Sequence, residues 1–367
     1  MADLEKVAQM TNFADKDEAA AAERNAIYDR QIRLWGKDAQ KKIGGTKVLF
    51  LGFASVNVEL CKNLVLAGFS ATIADDGVVA PAALACNFFL DAGDAGRNVA
   101  EASAAAAAEL NPFAAVGHDG RGLAAAATAA GAAALVAGHG VVVVEARSGG
   151  GMDDCAARVD AACRDAGAVF LAVRCGGDGA VAFLDLGPEH SYVVETGSGE
   201  KLKVSEPTTA RYCSYDDMRS VAWADVTPPR GKQPPLQFLF DRLDALFSES
   251  KAGEGDAKKR KTGDGSAFAA FAARALADRG LAGAASEAEL ARAFVAAAAP
   301  IAPVAAVVGG ILGQEVVKAV SGKGAPTNNL FVFDAATGAG TALRASPFAA
   351  EKPTPAAPPS AEDAIEL

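Results

Sequence analysis

The sequence predicts an α/β protein with a mainly parallel sheet, an antiparallel extension and a small helical insert. The first observation is a strand, turn and helix pattern, in which the apolar run of residues 48–51 meets Gly52 and a helical periodicity follows. The second is the alternation of short apolar runs with helical patterns up to residue 192. The third is a glycine-containing return at residues 328–344, which favours an antiparallel edge. This order is typical of a sheet covered by helices on both faces.

The turn after the first strand has the position of a nucleotide-binding loop but not its composition. Such a loop needs glycines two and five positions after Gly52, because the backbone must approach a phosphate closely and present bare N–H groups at the helix N-terminus. Ala54 and Asn57 stand there instead. Asp75 ends the next apolar run, where an acidic residue would hold a ribose hydroxyl or merely cap a loop. We interpret Gly52 and Asp75 as vestigial positions of a nucleotide site.

The other elements of the first half follow in order. Residues 1–22 are charged and alanine-rich, which predicts a flexible lead-in, and residues 23–43 predict one helix or two short helices broken near Gly36. The patterns then predict strands at residues 70–74, 141–144, 169–173 and 181–185, and helices at residues 96–110 and 152–166.

The alternation of strand and helix patterns ends after Tyr192. The second half is predicted to contain an insert, followed by elements that rejoin the main sheet. The patterns predict a hairpin at residues 193–195 and 202–204, helices at residues 236–246, 268–279 and 287–298, a disordered linker at 248–266, a glycine-containing helix at 303–321, and strands at 328–334 and 341–344. The predicted organisation is therefore a main domain formed by residues 23–192 and 296–345, an insert at 193–295, and a flexible tail at 346–367.

Composition excludes several classes of protein. The formal net charge of −10 argues against a nucleic-acid binder, which would need a basic face. Six cysteines form no C-x-x-C pair, so they predict reduced, buried thiols and neither a zinc ribbon nor a redox dithiol. No metal site is predicted, since the three histidines lack a ligand spacing. The N-terminus has no signal-peptide pattern, and the long apolar tracts are alanine, so no membrane association is expected.

Three stretches together carry a resemblance to a known family. They are YDRQIRLWG at residues 28–36, the strand, turn and helix of residues 46–68, and AVVGGILGQEVVK at residues 306–318 with Asn328 and Asn329. The chain resembles the activating enzymes of ubiquitin-like modifiers, most closely the smaller, cysteine-less subunits of the SUMO-type heterodimers, from about residue 23 to residue 344. The corresponding subunits of the NEDD8-type enzymes are the alternative. They are longer than this chain, although residues 87–90 have some likeness to them.

The resemblance implies a Rossmann-like, ThiF-like adenylation domain that pairs with a homologous domain in a larger partner. In such heterodimers the partner binds ATP and magnesium, adenylates the C-terminus of the modifier, and captures the acyl group on its own cysteine. This chain departs from the active half at five positions: Ala54, Asn57, Cys86 in place of an ATP-contacting arginine, Val99 in place of a catalytic lysine, and Glu145 to Arg147 without the usual aspartate. The departures indicate the inactive half, so ATP and magnesium are expected on the partner.

One site residue is carried over from the resemblance. The arginine of the Tyr-x-Arg-Gln motif reaches across the dimer interface to the ATP phosphates of the partner, which assigns that role to Arg30. A guanidinium is a permanent planar charge suited to stabilising phosphate. Without the resemblance, Arg30, Arg33 and Lys37 would be a solvated basic face, and Arg33 is considered only as possible support. No cysteine is predicted to be a nucleophile, because Cys61 and Cys163 lie on the apolar stripes of helices and the other four have no clear basic partner in the sequence.

Two other functions and a localisation remain to be tested. A nicotinamide-dependent oxidoreductase would use the same strand, turn and helix, but the glycine pattern is broken. A degenerate scaffold would bind partners without assisting catalysis, which the intact motif around Arg30 disfavours. The basic cluster at residues 258–261 is either a solvated charge run or a nuclear import signal, and the usual site of action of the family favours the nucleus.

Overall fold

A computed structural model of the chain describes residues 23–146, 152–197, 203–228, 231, 233–251, 265–299 and 301–355. Its strands in chain order are β1 (Lys47–Leu51), β2 (Ser70–Ala74), β3 (Val116–Asp119), β4 (Val141–Ala146), β5 (Val169–Gly176), β6 (Gly179–Asp185), β7 (His190–Tyr192), β8 (Glu195–Thr196), β9 (Lys203–Val204), β10 (Thr208–Ala210), β11 (Leu330–Asp334), β12 (Ala339–Leu343) and β13 (Thr354–Pro355). Its helices are α1 (Asp29–Trp35), α2 (Lys37–Gly45), α3 (Ser55–Ala67), α4 (Pro81–Leu84), α5 (Val99–Ala108), α6 (Ala129–Val136), α7 (Met152–Ala166), α8 (Tyr215–Ser220), α9 (Leu236–Lys251), α10 (Ser266–Ala277), α11 (Glu287–Ala296) and α12 (Ala302–Ser321).

An eight-stranded sheet organises the fold, in the order β12-β11-β6-β5-β4-β1-β2-β3. Five adjacent strands, β3, β2, β1, β4 and β5, are parallel to one another, and β6, β11 and β12 extend the sheet beyond β5 in antiparallel fashion. β5 and β6 are joined by a turn too short for a crossover, so they can pair only as antiparallel neighbours. The prediction of a mainly parallel sheet with an antiparallel extension is confirmed.

Side chains of the central strands point alternately to the two faces of the sheet, and each face packs into its own hydrophobic core. Val48, Phe50 and Val143 lie in the core that contains residues of α3, α5 and α12. Leu49 and Val142 lie in the core that contains residues of α6, α7, α9, α10 and α11. This alternation follows from the period of two along a strand, and it buries the near-continuous apolar runs that the sequence shows.

The helix α12 is the longest in the structure, and it packs against α3. A Cβ atom on Gly309 would lie 2.8 Å from Glu59 Cβ, so the glycine lets the two helices approach closely. The helix is long and apolar enough to cross a membrane, but 56% of its most apolar window is buried inside the protein. We therefore interpret α12 as a core helix.

A buried ion network ties the helical insert to the sheet. Arg174 on β5 pairs with Asp241 of α9 at 2.7 Å, and its guanidinium also contacts Asp153 of α7. The Tyr215 hydroxyl donates to Asp153 at 2.9 Å. Burial alone would raise the pKa of Asp153, but the surrounding positive charges, of which Arg174 is the strongest, outweigh burial and lower the pKa below its usual value. The network fixes α9 on the end of β5.

The ends of the predicted linker and tail differ from the sequence expectation. Residues 248–251 continue α9, because Phe247 packs edge-on against Phe268 and Phe294. The first ten residues of the predicted tail are likewise ordered, since Phe348 lies under the Arg211 guanidinium and β13 pairs with β10. The predicted flexible segment 1–22, most of the linker with the basic cluster 258–261, and the tail beyond residue 355 lie outside the described residues.

Candidate functional site

The vestigial nucleotide position lies where the order of the sheet reverses. β1 and β4 are adjacent parallel strands, and their chains continue to opposite sides of the sheet, which is where open α/β sheets bind ligands at the carboxyl ends of the strands. Gly52 follows β1 there with a φ of +77°. A Cβ atom on it would lie 2.3 Å from the carbonyl oxygen of Glu145 on β4. Gly52 is thus required by a close backbone approach within the chain itself.

The side chain of Glu145 fills the N-terminus of α3. Its carboxylate accepts hydrogen bonds from the backbone N–H groups of Val56 at 2.9 Å and Asn57 at 2.6 Å, and from the Ser55 hydroxyl at 3.2 Å. Only 2% of Glu145 is exposed. Burial raises the pKa of Glu145 to about 7, while the hydrogen bonds from α3 oppose the rise. A chain carboxylate therefore takes the donors that a phosphate would need.

Asp75 is also satisfied by its own chain. One carboxylate oxygen accepts from the backbone N–H of Phe53 and the other from that of Gly77, both at 2.7 Å. The side-chain amide of Asn98 donates to the Asp75 carbonyl oxygen at 2.9 Å. Only 7% of Asp75 is exposed, and its carboxylate links the turn after β1, at Phe53, to the loop after β2, at Gly77. Its position matches the sequence expectation, but its carboxylate is committed to the backbone.

The other departures from the active half are apolar or weakly polar in the structure. Val99 begins α5 and is buried, and its side chain would meet a Cβ atom placed on Gly77. Cys86 is half-buried, and burial followed by the charge of Glu145 raises the pKa of its thiol. The ring of Phe89 stacks on Phe53 with centroids 6.2 Å apart. In the described part of the chain no group of three or more His, Cys, Asp or Glu side chains could hold a metal ion.

These residues do not fit ATP and magnesium. The helix N-terminus is already bonded to Glu145, Asp75 is bonded to the backbone, and the positions of the arginine and lysine of active halves carry Cys86 and Val99. No catalytic step can be derived through a nucleotide in this turn. The same occupancy disfavours the oxidoreductase alternative, because a dinucleotide pyrophosphate would need the same donors.

The Tyr-x-Arg-Gln motif forms a helix that is anchored at the other end of α3. The helical conformation is interrupted at Gly36, which has a φ of +87°, so the predicted alternative of two short helices is confirmed. The hydroxyl of buried Tyr28 accepts from the Asn111 side chain at 2.7 Å. Trp35 donates to Gln40 at 3.0 Å, and Gln40 donates to the Ala67 carbonyl at 2.9 Å. The motif's aromatic residues are therefore anchors that fix α1.

Arg30 is exposed on this anchored helix. Over the residues that the structure covers, its guanidinium has no hydrogen-bond or ion-pair partner. Arg33, one turn later, is instead paired with Asp29 at 2.9 Å. The two arginines of α1 thus differ, and of the two only Arg30 has a free cationic group.

Arg30 is also far from this chain's own nucleotide position. The anchors of α1 lie at the C-terminal end of α3, and Gln31 donates to the Leu66 carbonyl there, whereas Glu145 binds the first residues of α3. A helix of the 13 residues of α3 is about 20 Å long at 1.5 Å per residue. That separation exceeds the reach of an arginine side chain, so Arg30 cannot act on the turn after Gly52.

The six cysteines are free thiols, and five of them are buried. Burial raises the pKa of Cys175 to about 12 and that of Cys213 to about 11, and it raises the pKa of Cys61 and Cys163 further. The thiolate is the nucleophile, so a raised pKa suppresses its reactivity at neutral pH. The environments of the thiols agree with a structural role.

The fold and the site define a Rossmann-like chain whose nucleotide position is filled by its own side chains. Comparison with family models matches residues 28–354 to the ThiF family. The chain belongs to the ThiF family.

Curated relatives match the chain over almost all of its length. SUMO-activating enzyme subunit 1 of Xenopus tropicalis is 30% identical, over 88% of this chain and 96% of the relative. The Bos taurus protein of the same name is 31% identical over 89% and 98%, and subunit 1B-1 of Arabidopsis thaliana is 30% identical over 89% and 97%. Among solved structures, Escherichia coli MccB crystallised with MccA-N7isoASN has a TM-score of 0.52 at 14% identity, over 87% of this chain and 72% of that one. PaaA has a TM-score of 0.50 at 12% identity, over 88% and 74%. The likeness to the two solved structures concerns the fold.

Sequence reasoning recognised the damaged turn but missed its occupant. The sequence shows that Glu145 stands where an aspartate is usual, and it does not show that the side chain folds back onto α3. The sequence does contain a strand that carries the carboxylate of Glu145 and a turn after Gly52 that lacks the expected glycines. Their contact could be inferred only if β1 and β4 were known to be neighbouring strands.

Proposed function

We propose that this chain is the smaller, non-thioester subunit of a heterodimeric SUMO-activating enzyme. Its larger partner binds ATP and magnesium, adenylates the C-terminus of SUMO, and captures the acyl group on its own cysteine. The proposal is supported by membership of the ThiF family and by vertebrate and plant relatives, matched over almost all of their length, that are named as SUMO-activating enzyme subunits. Those names favour the SUMO-type subunit over the NEDD8-type alternative.

The observation that carries the proposal is Arg30, a free guanidinium on an anchored helix, remote from its own chain's nucleotide turn. A charge held in this way can serve a site on another subunit. We propose that it contacts the phosphates of ATP bound by the partner. There it would stabilise the negative charge that develops when the carboxylate of the SUMO C-terminus attacks the α-phosphate, a contribution similar in logic to an arginine finger.

Isotope exchange between pyrophosphate and ATP tests the proposal, because it reports adenylation without thioester transfer. With SUMO present, we expect no exchange by this chain alone and robust exchange when the larger subunit is added. Arg30→Ala in the heterodimer should slow exchange about a hundredfold, as expected for the loss of a group that stabilises transition-state charge. Dimerisation, followed by size-exclusion chromatography, should be unchanged because Arg30 makes no contact that holds α1 in place.

A matched control separates this role from a general effect of charge. Arg24 lies in the short helical stretch of residues 23–27, just before Tyr28, and is also exposed. The variant Arg24→Ala makes the same change in net charge as Arg30→Ala. It should exchange at the wild-type rate. Equal rates for Arg30→Ala and wild type would remove Arg30 from the mechanism and leave the scaffold alternative, whereas exchange by the isolated chain would contradict the assignment of ATP to the partner.

We also propose that the chain acts in the nucleus. The support is the basic cluster at residues 258–261, together with the family's usual site of action. A fluorescent fusion should be nuclear, and replacing the four basic residues with alanine should shift it toward the cytoplasm. An unchanged distribution of the variant would rule out the cluster as the import signal.

A further inference from the structure

We propose that Glu145 is the residue that closes this chain's nucleotide site: its carboxylate holds the place of a phosphate at the N-terminus of α3. The inference rests on the proposed function and deepens it, because it names the group that confines ATP to the partner subunit. It concerns a specific contact rather than the loss of glycines alone.

The contact between Glu145 and α3 has the chemistry of an anion site. Helix N-termini bind anions, because their first N–H groups lack partners within the helix and the helix dipole favours negative charge. Glu145 accepts from two of these N–H groups at 2.9 and 2.6 Å and from the Ser55 hydroxyl at 3.2 Å, all of them hydrogen-bond distances. A nucleotide phosphate would need the same donors in the same place.

The occupant cannot easily be displaced. Glu145 is held by β4, whose backbone approaches Gly52 too closely for any side chain there. The carboxylate is therefore positioned without loss of translational freedom, whereas a nucleotide has to pay that cost on binding. A phosphate entering the turn would also meet the carboxylate oxygens of Glu145 at short range, and the ionised form of Glu145 would repel it.

The surroundings are closed around the same contact. The side chain of Asn57 donates to the Gly52 carbonyl at 2.6 Å, so it bridges the two ends of the turn. Asp75 is bonded to the N–H groups of Phe53 and Gly77 and cannot reorient toward a ribose without breaking both bonds. Opening the turn for phosphate therefore needs Glu145 to leave, and its removal is the smallest change that frees α3.

Binding of inorganic pyrophosphate to the full-length chain alone tests the inference. Wild type should show no saturable binding in calorimetry at millimolar concentrations, whereas Glu145→Ala and Glu145→Ser should bind saturably, with a Kd at least tenfold below the highest concentration at which wild type shows no binding. Glu109→Ala is the matched control, because Glu109 is exposed and its loss makes the same change in net charge. Its binding should equal that of wild type. Folded Glu145 variants that bind no better than the control would overturn the proposal.

A measurement on the wild-type chain keeps the proposal testable even if both variants fail to fold. In amide NMR spectra, pyrophosphate should leave the N–H signals of Val56 and Asn57 unchanged. A saturable shift of these two signals would mean that the anion reaches α3 despite Glu145, and the proposal would be wrong. Neither experiment involves the larger subunit or adenylation, so the closure by Glu145 and the proposed role of Arg30 can fail independently.

Discussion

Replacing Gly309 with alanine perturbs the contact that holds α3 against α12. The added methyl group would lie 2.8 Å from Glu59 Cβ and 3.2 Å from the backbone nitrogen of Leu60. Carbon atoms in ordinary contact are about 3.5–4.0 Å apart, so the helices would have to separate by several tenths of an ångström or more. Gly310, the next residue on the same helix, has no atom within 4 Å of such a methyl group.

The two positions therefore separate the effect of packing from that of helix propensity. Alanine in place of glycine in a helix interior stabilises by about 1 kcal/mol. Overpacking a tight contact costs about 1–3 kcal/mol. Gly310→Ala should thus raise the free energy of unfolding by about 1 kcal/mol, while Gly309→Ala should leave it unchanged or lower it by up to about 2 kcal/mol.

Urea unfolding followed by circular dichroism measures this difference. At equal slopes, the midpoint of Gly309→Ala should lie below that of Gly310→Ala by an amount that corresponds to about 1–3 kcal/mol. The comparison needs no absolute stability, because both variants change the same residue type in the same helix. Equal midpoints would refute the argument that Gly309 is needed for close approach of α3 and α12.

Two further predictions concern the buried carboxylates of Asp160 on α7 and Asp185 on β6. Burial beside Asp185 raises the pKa of Asp160 to about 8, above its unfolded value, so the folded state loses stability as the pH rises through that pKa. Asp160→Asn should therefore gain stability over wild type as the pH rises from 6 to 9, and urea midpoints that keep a constant difference would contradict it. Arg164→Met should lower the free energy of unfolding by about 3–5 kcal/mol, since Asp185 is buried and would lose its 2.6 Å ion pair. A loss below 1 kcal/mol at pH 7 would show that the pair is not needed.

The central part of the fold could be predicted from the sequence because its signals are local. The apolar run before Gly52 and the helical periodicity after it specify a strand and a helix with little tertiary help. The antiparallel return near the C-terminus was likewise predicted, and it is observed as β11 and β12. The break at Gly36 follows from a positive φ that glycine adopts without strain.

Elements stabilised by distant partners could not be predicted in the same way. β3 has the sequence VGHD, with one apolar residue and two exposed positions, and it is a strand because it pairs with β2. β10 pairs with β7 and with β13, which is more than 140 residues away in the chain. Neither shows the alternation that identifies a strand, so backbone pairing rather than side-chain pattern decides these regions.

For the candidate site, too, the features that depend on nearby residues could be predicted, and those that depend on distant residues could not. Arg30 could be selected from its motif, whereas the ion pair between Arg33 and Asp29 that distinguishes the two arginines depends on side-chain geometry. The loss of phosphate-binding glycines could be read directly at Ala54 and Asn57. The filling of the turn depends on Glu145, some 90 residues further on, which meets α3 because β4 lies beside β1.

A structure of the heterodimer with ATP and magnesium would test the central claim most directly. The account predicts an ordered nucleotide in the larger subunit, with the Arg30 guanidinium within hydrogen-bond distance of its phosphates and Glu145 still bonded to the N-terminus of α3. A nucleotide ordered over the Gly52 turn of this chain, with Glu145 displaced, would contradict it.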